Sequence, residues 1–332
     1  MALYALGITL IASPDRLGGL LELFHLLLFA SIAFAAARLD SIDGIMTGFG
    51  WGIAVSSSLC VAQVLGWSPV PQLYAPAGLF GNRDFLAEAT APVLVWAILS
   101  IRTYTAGRMY MAALTGLLAI PIALCGSRVA LLAVAAGCMI GIRVKPRGRG
   151  RTQNRGDGRA WGRGGFFLLA VGFVGWWSFA DGKLASLGER LTIWRATIAE
   201  LTLFGHGLGW FAAAHPYWEY AHSDALQFAA ELGIGAIPFY GLAAWLLAAP
   251  ASAAARAAAV AMAVECLVAM PLHLPATGFV AAVLAGRLAR ARGLGGGPGF
   301  ARGDRVYAPV LASPGSSITD RGRAAGSGDV SV

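Results

Sequence analysis

The sequence predicts an all-α, polytopic integral membrane protein of about ten transmembrane helices, with one long exoplasmic loop that contains an amphipathic helix. Three observations predict it. Of the 332 residues, 57% are hydrophobic and only 13% are charged, and the mean hydropathy is +0.66. A soluble domain usually carries about 25% charged residues because its surface must be wetted, so much of this surface faces lipid. Apolar runs near the ~20-residue length of a membrane span recur along the chain. The formal net charge of +8 is concentrated in a few segments between and after those runs.

The candidate spans lie near residues 2–12, 17–37, 42–66, 85–101, 109–126, 129–142, 164–180, 225–249, 255–270 and 276–288. The first, the sixth and the last two are short for a span of about 20 residues. Pro92, Pro121 and Pro238 fall inside spans, where neighbouring helices can satisfy the freed backbone. Gly44/Gly48/Gly52 and Gly137/Gly141 have the small-xxx-small spacing of close helix packing. The N-terminus lacks a basic region and a small-residue cleavage site, so its apolar run reads as a first span and not as a signal peptide.

Orientation follows from the basic segments. One is 143–163, with Arg143, Lys145, Arg147, Arg149, Arg151, Arg155, Arg159 and Arg163; another includes Arg287, Arg290, Arg292 and Arg302. Lys and Arg beside spans are held on the cytoplasmic side, which puts both termini there. The domain reading is a transmembrane domain over 1–293, with a cytoplasmic basic loop at 143–163 and an exoplasmic loop at 181–223, then a disordered tail at 294–332. Membrane lipids are the expected surroundings. An orienting loop accounts for the basic run, so no nucleic-acid partner is expected. Cys60, Cys125, Cys138 and Cys266 sit inside apolar runs without a CxxC pair, so neither a disulfide framework nor a metal site is implied.

Polar residues able to do chemistry gather on the exoplasmic side. Leu187, Leu191, Trp194, Ile198 and Leu201 form one apolar stripe of a helix expected to rest on the membrane domain. Arg190 and Arg195 flank that stripe about 140° apart at ~100° per residue, so the helix can aim one of them at a site beneath it. The run from Phe204 to Trp210 holds Gly205, Gly207 and Gly209, which permit a tight turn or close backbone approach. No strand precedes it, so it is not a dinucleotide fingerprint. His222-Ser223-Asp224-Ala225-Leu226-Gln227 opens the next span, with Glu231 about two turns on. His222 is either an interfacial anchor or a base whose charge changes near neutral pH. His206, His215 and His222 have no ligand spacing, so no metal is expected. Arg128, in the turn Gly126-Ser127-Arg128, either snorkels to headgroups or helps to bind a pyrophosphate.

Taken in order, these pieces resemble the O-antigen ligase/polymerase family of bacterial membrane glycosyltransferases. The matching stretches are Gly78-Leu79-Phe80-Gly81-Asn82, then Ser127-Arg128-Val129-Ala130-Leu131-Leu132, and Gly188-Glu189-Arg190 with Trp194. The glycine loop from Phe204 to Phe211 follows, and last come the His222–Gln227 stretch and Glu231-Leu232-Gly233. They cover roughly the middle half of the chain. Two positions depart from the family's common pattern: Ser223 where Asn often follows the histidine, and Arg83-Asp84 where Pro-Asn often follows Gly-Asn.

The resemblance implies a GT-C-like glycosyltransferase of the bacterial inner membrane. Its donor would be a glycan on undecaprenyl pyrophosphate, and its acceptor a hydroxyl of a lipid A core, another glycan or a protein, with no cofactor and no metal. On that reading His222, Arg190 and Arg128 are catalytic, and Arg195, Asn82, Gly207, Gly209, Asp224 and Glu231 bind or orient substrate. Arginines suit a pyrophosphate leaving group because they make charge-assisted, bidentate contacts. The rival readings are a lipid or polysaccharide flippase and an inactive partner of an export complex.

Overall fold

The computed structural model describes residues 1–70, 72, 74–101, 104, 107–143, 184–218 and 220–295. The expected span at 164–180, the basic loop beyond Arg143 and the tail beyond Gly295 lie outside the described residues.

Among the described residues the fold is all-helical, with one isolated bridge between Tyr74 and Asn82. The helices are α1 (Ala2–Ala12), α2 (Arg16–Ala36), α3 (Asp43–Val64), α4 (Arg83–Ser100), α5 (Arg108–Cys125) and α6 (Arg128–Arg143). After these come α7 (Leu184–Ala199), the short α8 (Trp210–Ala214), α9 (Asp224–Leu232), α10 (Ala236–Leu247), α11 (Ala253–Val268) and α12 (Pro275–Ala291). Four segments are long and apolar enough to cross a membrane: Arg16–Ala36, Asp43–Val64, Arg108–Cys125 and Asp224–Leu247. The other apolar runs in the described residues are helical but shorter or more polar.

α4 is the axis of the bundle. Every residue from Leu86 to Ala97 is buried, including Glu88. A helix that is apolar around its whole circumference belongs inside, and α4 is enclosed by α5, α6 and α11, with α3 and α12 also against it. The outermost helix, α2, shows the opposite pattern. It packs on α12 but leaves Leu17, Leu21, Phe24, Leu27 and Phe34 exposed, as a lipid-facing surface requires.

The two glycine patterns part company. A Cβ at Gly137 would come within 2.7 Å of the Ala257 carbonyl, and one at Gly141 within 2.3 Å of Leu99 Cδ1, so this pair does mark close packing. Gly44, Gly48 and Gly52 meet nothing within 4 Å. The buried face of α3 runs instead through Met46, Gly50, Ile53, Ser57 and Cys60. The spacing alone does not say which face of a helix meets a neighbour, and here it marks the outward one.

The antiparallel order gives the bundle two polar ends. At one end, Arg290 pairs with Asp40 Oδ1 at 2.6 Å and donates to the Arg38 carbonyl, and Arg287 donates to the Asp40 carbonyl. The other end gathers the α1–α2 corner, the loop before α4, the start of α6, α7 to the start of α9, and the turn after α11. It is called the loop end below.

Candidate functional site at the loop end

α7 lies over this end on a small core of Ile193, Phe211 and Ala221. Trp194 Nε1 donates to the Ala221 carbonyl at 3.0 Å, which fixes the helix directly over the residue before His222. The face of α7 that turns inward carries Arg190, Ile193, Trp194 and Thr197. Leu191, Ile198 and Leu201 are 40%, 56% and 43% exposed, so most of the expected stripe faces outward. Periodicity locates an apolar stripe but does not choose between protein and lipid as its cover. Arg195 is exposed as well, away from the site and from Arg190.

Arg190 is half-buried, and its Nη1 donates to the Val268 carbonyl at 2.7 Å. That carbonyl belongs to the last turn of α11, where orphan acceptors and the negative end of the helix dipole favour a cation. A guanidinium has five N–H donors, and this bond engages one of them. Arg190 lies within electrostatic reach of both Glu88 and His222.

His222 is half-buried with φ +51, the one described non-glycine residue in the left-handed region. Histidine enters this region more readily than bulky residues do, and such strain often sits at functional positions. Burial first, and then the Arg190 charge, hold its imidazole below the usual histidine value, against the opposing pull of Glu189 and Asp84. The ring is therefore neutral near pH 7 and able to accept a proton. The next residue, Ser223, caps α9 through Oγ, which accepts from the Leu226 amide at 3.2 Å. Serine and asparagine are interchangeable N-caps, which accounts for the departure at this position.

Asp224 does not orient His222. It is fully buried, Oδ2 accepts from the Leu272 amide at 2.8 Å, and Oδ1 pairs with His273 Nδ1 at 2.6 Å. Its own amide donates to the Ala269 carbonyl. These bonds fasten the start of α9 to the turn after α11. Burial alone would depress the His273 value, but the Asp224 carboxylate outweighs it and pushes the imidazole up to about 9. Tyr220 and Phe228 pack against the same ring.

The glycine loop is structural throughout. Gly207 and Gly209 have φ of +84 and +75, and a Cβ would lie 2.8 Å from Thr9 Cα at the first and 2.6 Å from the Gly19 amide nitrogen at the second. Their amides donate to the Glu231 carbonyl and to Glu22 Oε2. Glu231, also fully buried, accepts from the Phe211 amide and from Gln227 Nε2 at 3.2 and 3.3 Å. Loop, α1–α2 corner and α9 thus lock into one unit, and these residues build the site's floor. Asn82 is the N-cap of α4, with its side-chain oxygen on the Asp84 amide at 2.9 Å.

Arg128 opens α6 and is half-buried. The close contacts of Gly137 with Ala257 and Val95 fix the register of α6 against α11 and α4. At an equal rise per residue, Arg128 lies level with Cys266 and Leu86, one turn or less from Glu265 and Glu88. His206 and His215 both reach Glu200, the first at its carbonyl and the second at Oε2, each at 2.8 Å, and both rings pack against Trp210, away from His222. Among the described residues no group of three His, Cys, Asp or Glu could hold a metal.

Comparison of the chain with protein-family models, with curated proteins and with solved structures finds no match in any of the three. The family resemblance therefore rests on the quoted motifs alone.

Sequence reading missed Glu88, Glu265, Glu22 and the role of His273. Glu88 and Glu265 carried a usable signal, since a carboxylate in a membrane helix is a functional hypothesis by default. The Asp224–His273 pair spans 49 residues and has no local signature. An apolar crevice of about 130 Å³ lies between Phe80, Phe85, Leu274, Pro275, Ala276 and Thr277. It contains none of the ionisable residues named above.

Proposed function

We propose that this protein is a metal-independent membrane glycosyltransferase of ten spans and GT-C-like architecture, acting at the periplasmic face of the bacterial inner membrane. It moves a glycan from undecaprenyl pyrophosphate to an acceptor hydroxyl, in the manner of an O-antigen ligase or polymerase, during cell-surface polysaccharide biosynthesis. The observation that carries this reading is Arg190 at the mouth of the bundle, half-buried and beside a neutral, backbone-strained His222. Arg190 meets the pyrophosphate and stabilises the charge that grows as the sugar–phosphate bond breaks. Arg128, at the start of α6, assists it. His222 takes the proton of the acceptor hydroxyl as that oxygen attacks the anomeric carbon, and the lipid pyrophosphate leaves. The test is a metal-free transfer assay in proteoliposomes, with lipid-linked glycan and lipid A core, glycan and peptide acceptors. Product from the wild type and none from Arg190→Ala or His222→Ala is the expected result.

A second reading is favoured by Glu88 and Glu265, because buried carboxylates inside a helical membrane domain mark proton pathways. On this reading the protein is a proton-coupled flippase for the same lipid-linked glycan. Donor translocation driven by a proton gradient, without any transfer product, would select it.

A further inference from the structure

α3 and α5 run parallel, with α4 returning between them, and each carries a cysteine at its loop-end tip. A Cβ at Gly50 on α3 would come within 3.3 Å of Leu114 on α5, which sets the register of the two helices. At an equal rise per residue, Cys60 near the end of α3 and Cys125 at the end of α5 are level to within about one residue. Cys60 is 0% exposed and Cys125 2%.

The loop before α4 bridges the same two tips. Gln63 Oε1 on α3 accepts from the Ala77 and Gly78 amides at 2.8 and 3.0 Å, and Ser56 Oγ accepts from the Leu79 amide at 2.9 Å. Residues 76–79 therefore lie along α3 on the face that carries Ser56, Cys60 and Gln63. Cys125 reaches that face from α5, where its Sγ donates to the Pro76 carbonyl at 3.5 Å. The two thiols are in hydrogen-bond contact. Their distance in sequence hides the pair, which only the fold brings together.

We propose that Cys60 and Cys125 are joined by a disulfide in the membrane-inserted protein, a covalent strap between the loop-end tips of α3 and α5. The inference rests on the exoplasmic placement of the loop end in the proposed function, since that side of the membrane is oxidising. Facing side chains on two closely packed helices meet the need of a disulfide for neighbouring Cβ atoms. The step is thiol–disulfide exchange with an exoplasmic protein disulfide as oxidant. The oxidant's S–S bond breaks as the Cys60–Cys125 bond forms, and the oxidant leaves as a dithiol that carries the two electrons and both thiol protons. Both sulfurs are buried in the folded chain, so the exchange is made during insertion, before residues 76–79 pack down. The strap holds the turn Gly126-Ser127-Arg128, which follows Cys125 directly, against α3. The register of α6 on α11 keeps Cys138 and Cys266 apart, and these two stay thiols.

The experiment counts thiols in the full-length protein, purified without reductant and denatured in a maleimide mass tag, with and without prior reduction. Of the four cysteines, two should take the tag before reduction and all four after it. Cys60→Ala and Cys125→Ala should each tag every remaining cysteine without reduction. Reduction should also lower the unfolding temperature of the wild type and leave that of Cys60→Ala unchanged. A tag on every cysteine of the unreduced wild type would overturn the inference. The side that the loop end faces is read separately, by labelling Tyr217→Cys in intact cells with a membrane-impermeant maleimide, the tyrosine being 97% exposed. Labelling there with Cys60 and Cys125 free overturns the disulfide and leaves the transferase reading standing. No labelling removes the placement on which both rest.

Discussion

Two buried acidic groups lie close together at the loop end and differ in one respect. Asp224 has a complete set of partners: its carboxylate accepts from the Leu272 amide and pairs with the His273 imidazolium, its own amide donates to the Ala269 carbonyl, and all of them belong to the fold. Glu88 and Glu265 have no ion pair, and three of their four oxygens are unpartnered among the described residues. A satisfied buried pair is a structural joint, whereas an unsatisfied one is costly to keep and calls for a function to explain it. The difference separates what holds the loop end in place from what that end does.

The comparison can be broken most sharply at Arg190. Arg190→Ala should lower transfer by about 10²–10³-fold, the scale of losing one preorganised charge donor, while unfolding temperature changes little. The reverse pattern, a protein that falls apart but transfers normally per folded molecule, would move Arg190 into the structural class. Asp224→Asn should do what Arg190→Ala does not. It leaves His273 buried without a counter-ion, at a cost of roughly 3–5 kcal/mol, seen as a large drop in unfolding temperature.

The pH dependence sharpens the same contrast. His273 is raised from 6.5 to about 9, so its contribution to stability is full below pH 6.5 and is lost as pH rises through about 9. His222 is shifted the other way, so its effect is a loss of stability as pH falls below about 6.5. Unfolding temperature should decline on the alkaline side in the wild type, and that decline should shrink in His273→Gln. The smallest effect belongs to Arg195→Ala. Its side chain is exposed on the outward face of α7, so stability should change by less than about 0.5 kcal/mol and transfer hardly at all.

Much of this was legible in the sequence, for physical reasons that also explain the rest. The apolar runs that became α2, α3 and α5 are local patterns of length and composition, and a local pattern survives folding. Arg190 and Arg195 were separable from their angular spacing alone. The cover of a stripe is not local: Leu191 and Ile198 face outward, and Gly44, Gly48 and Gly52 do the same, because lipid receives apolar faces as readily as protein does. Gly207 and Gly209 were legible as points of close approach, but not that α1 and α2, instead of a ligand, do the approaching. Asp224 reads as a neighbour of His222 in sequence, and only the fold reveals His273 as its partner.

The measurement that tests the central claim most directly is the metal-free transfer assay with wild type, Arg190→Ala, His222→Ala and Arg195→Ala side by side. The account predicts product from the wild type and from Arg195→Ala, and none from the other two. Equal product from all four proteins, or none from a folded wild type that binds the lipid-linked donor, would contradict it.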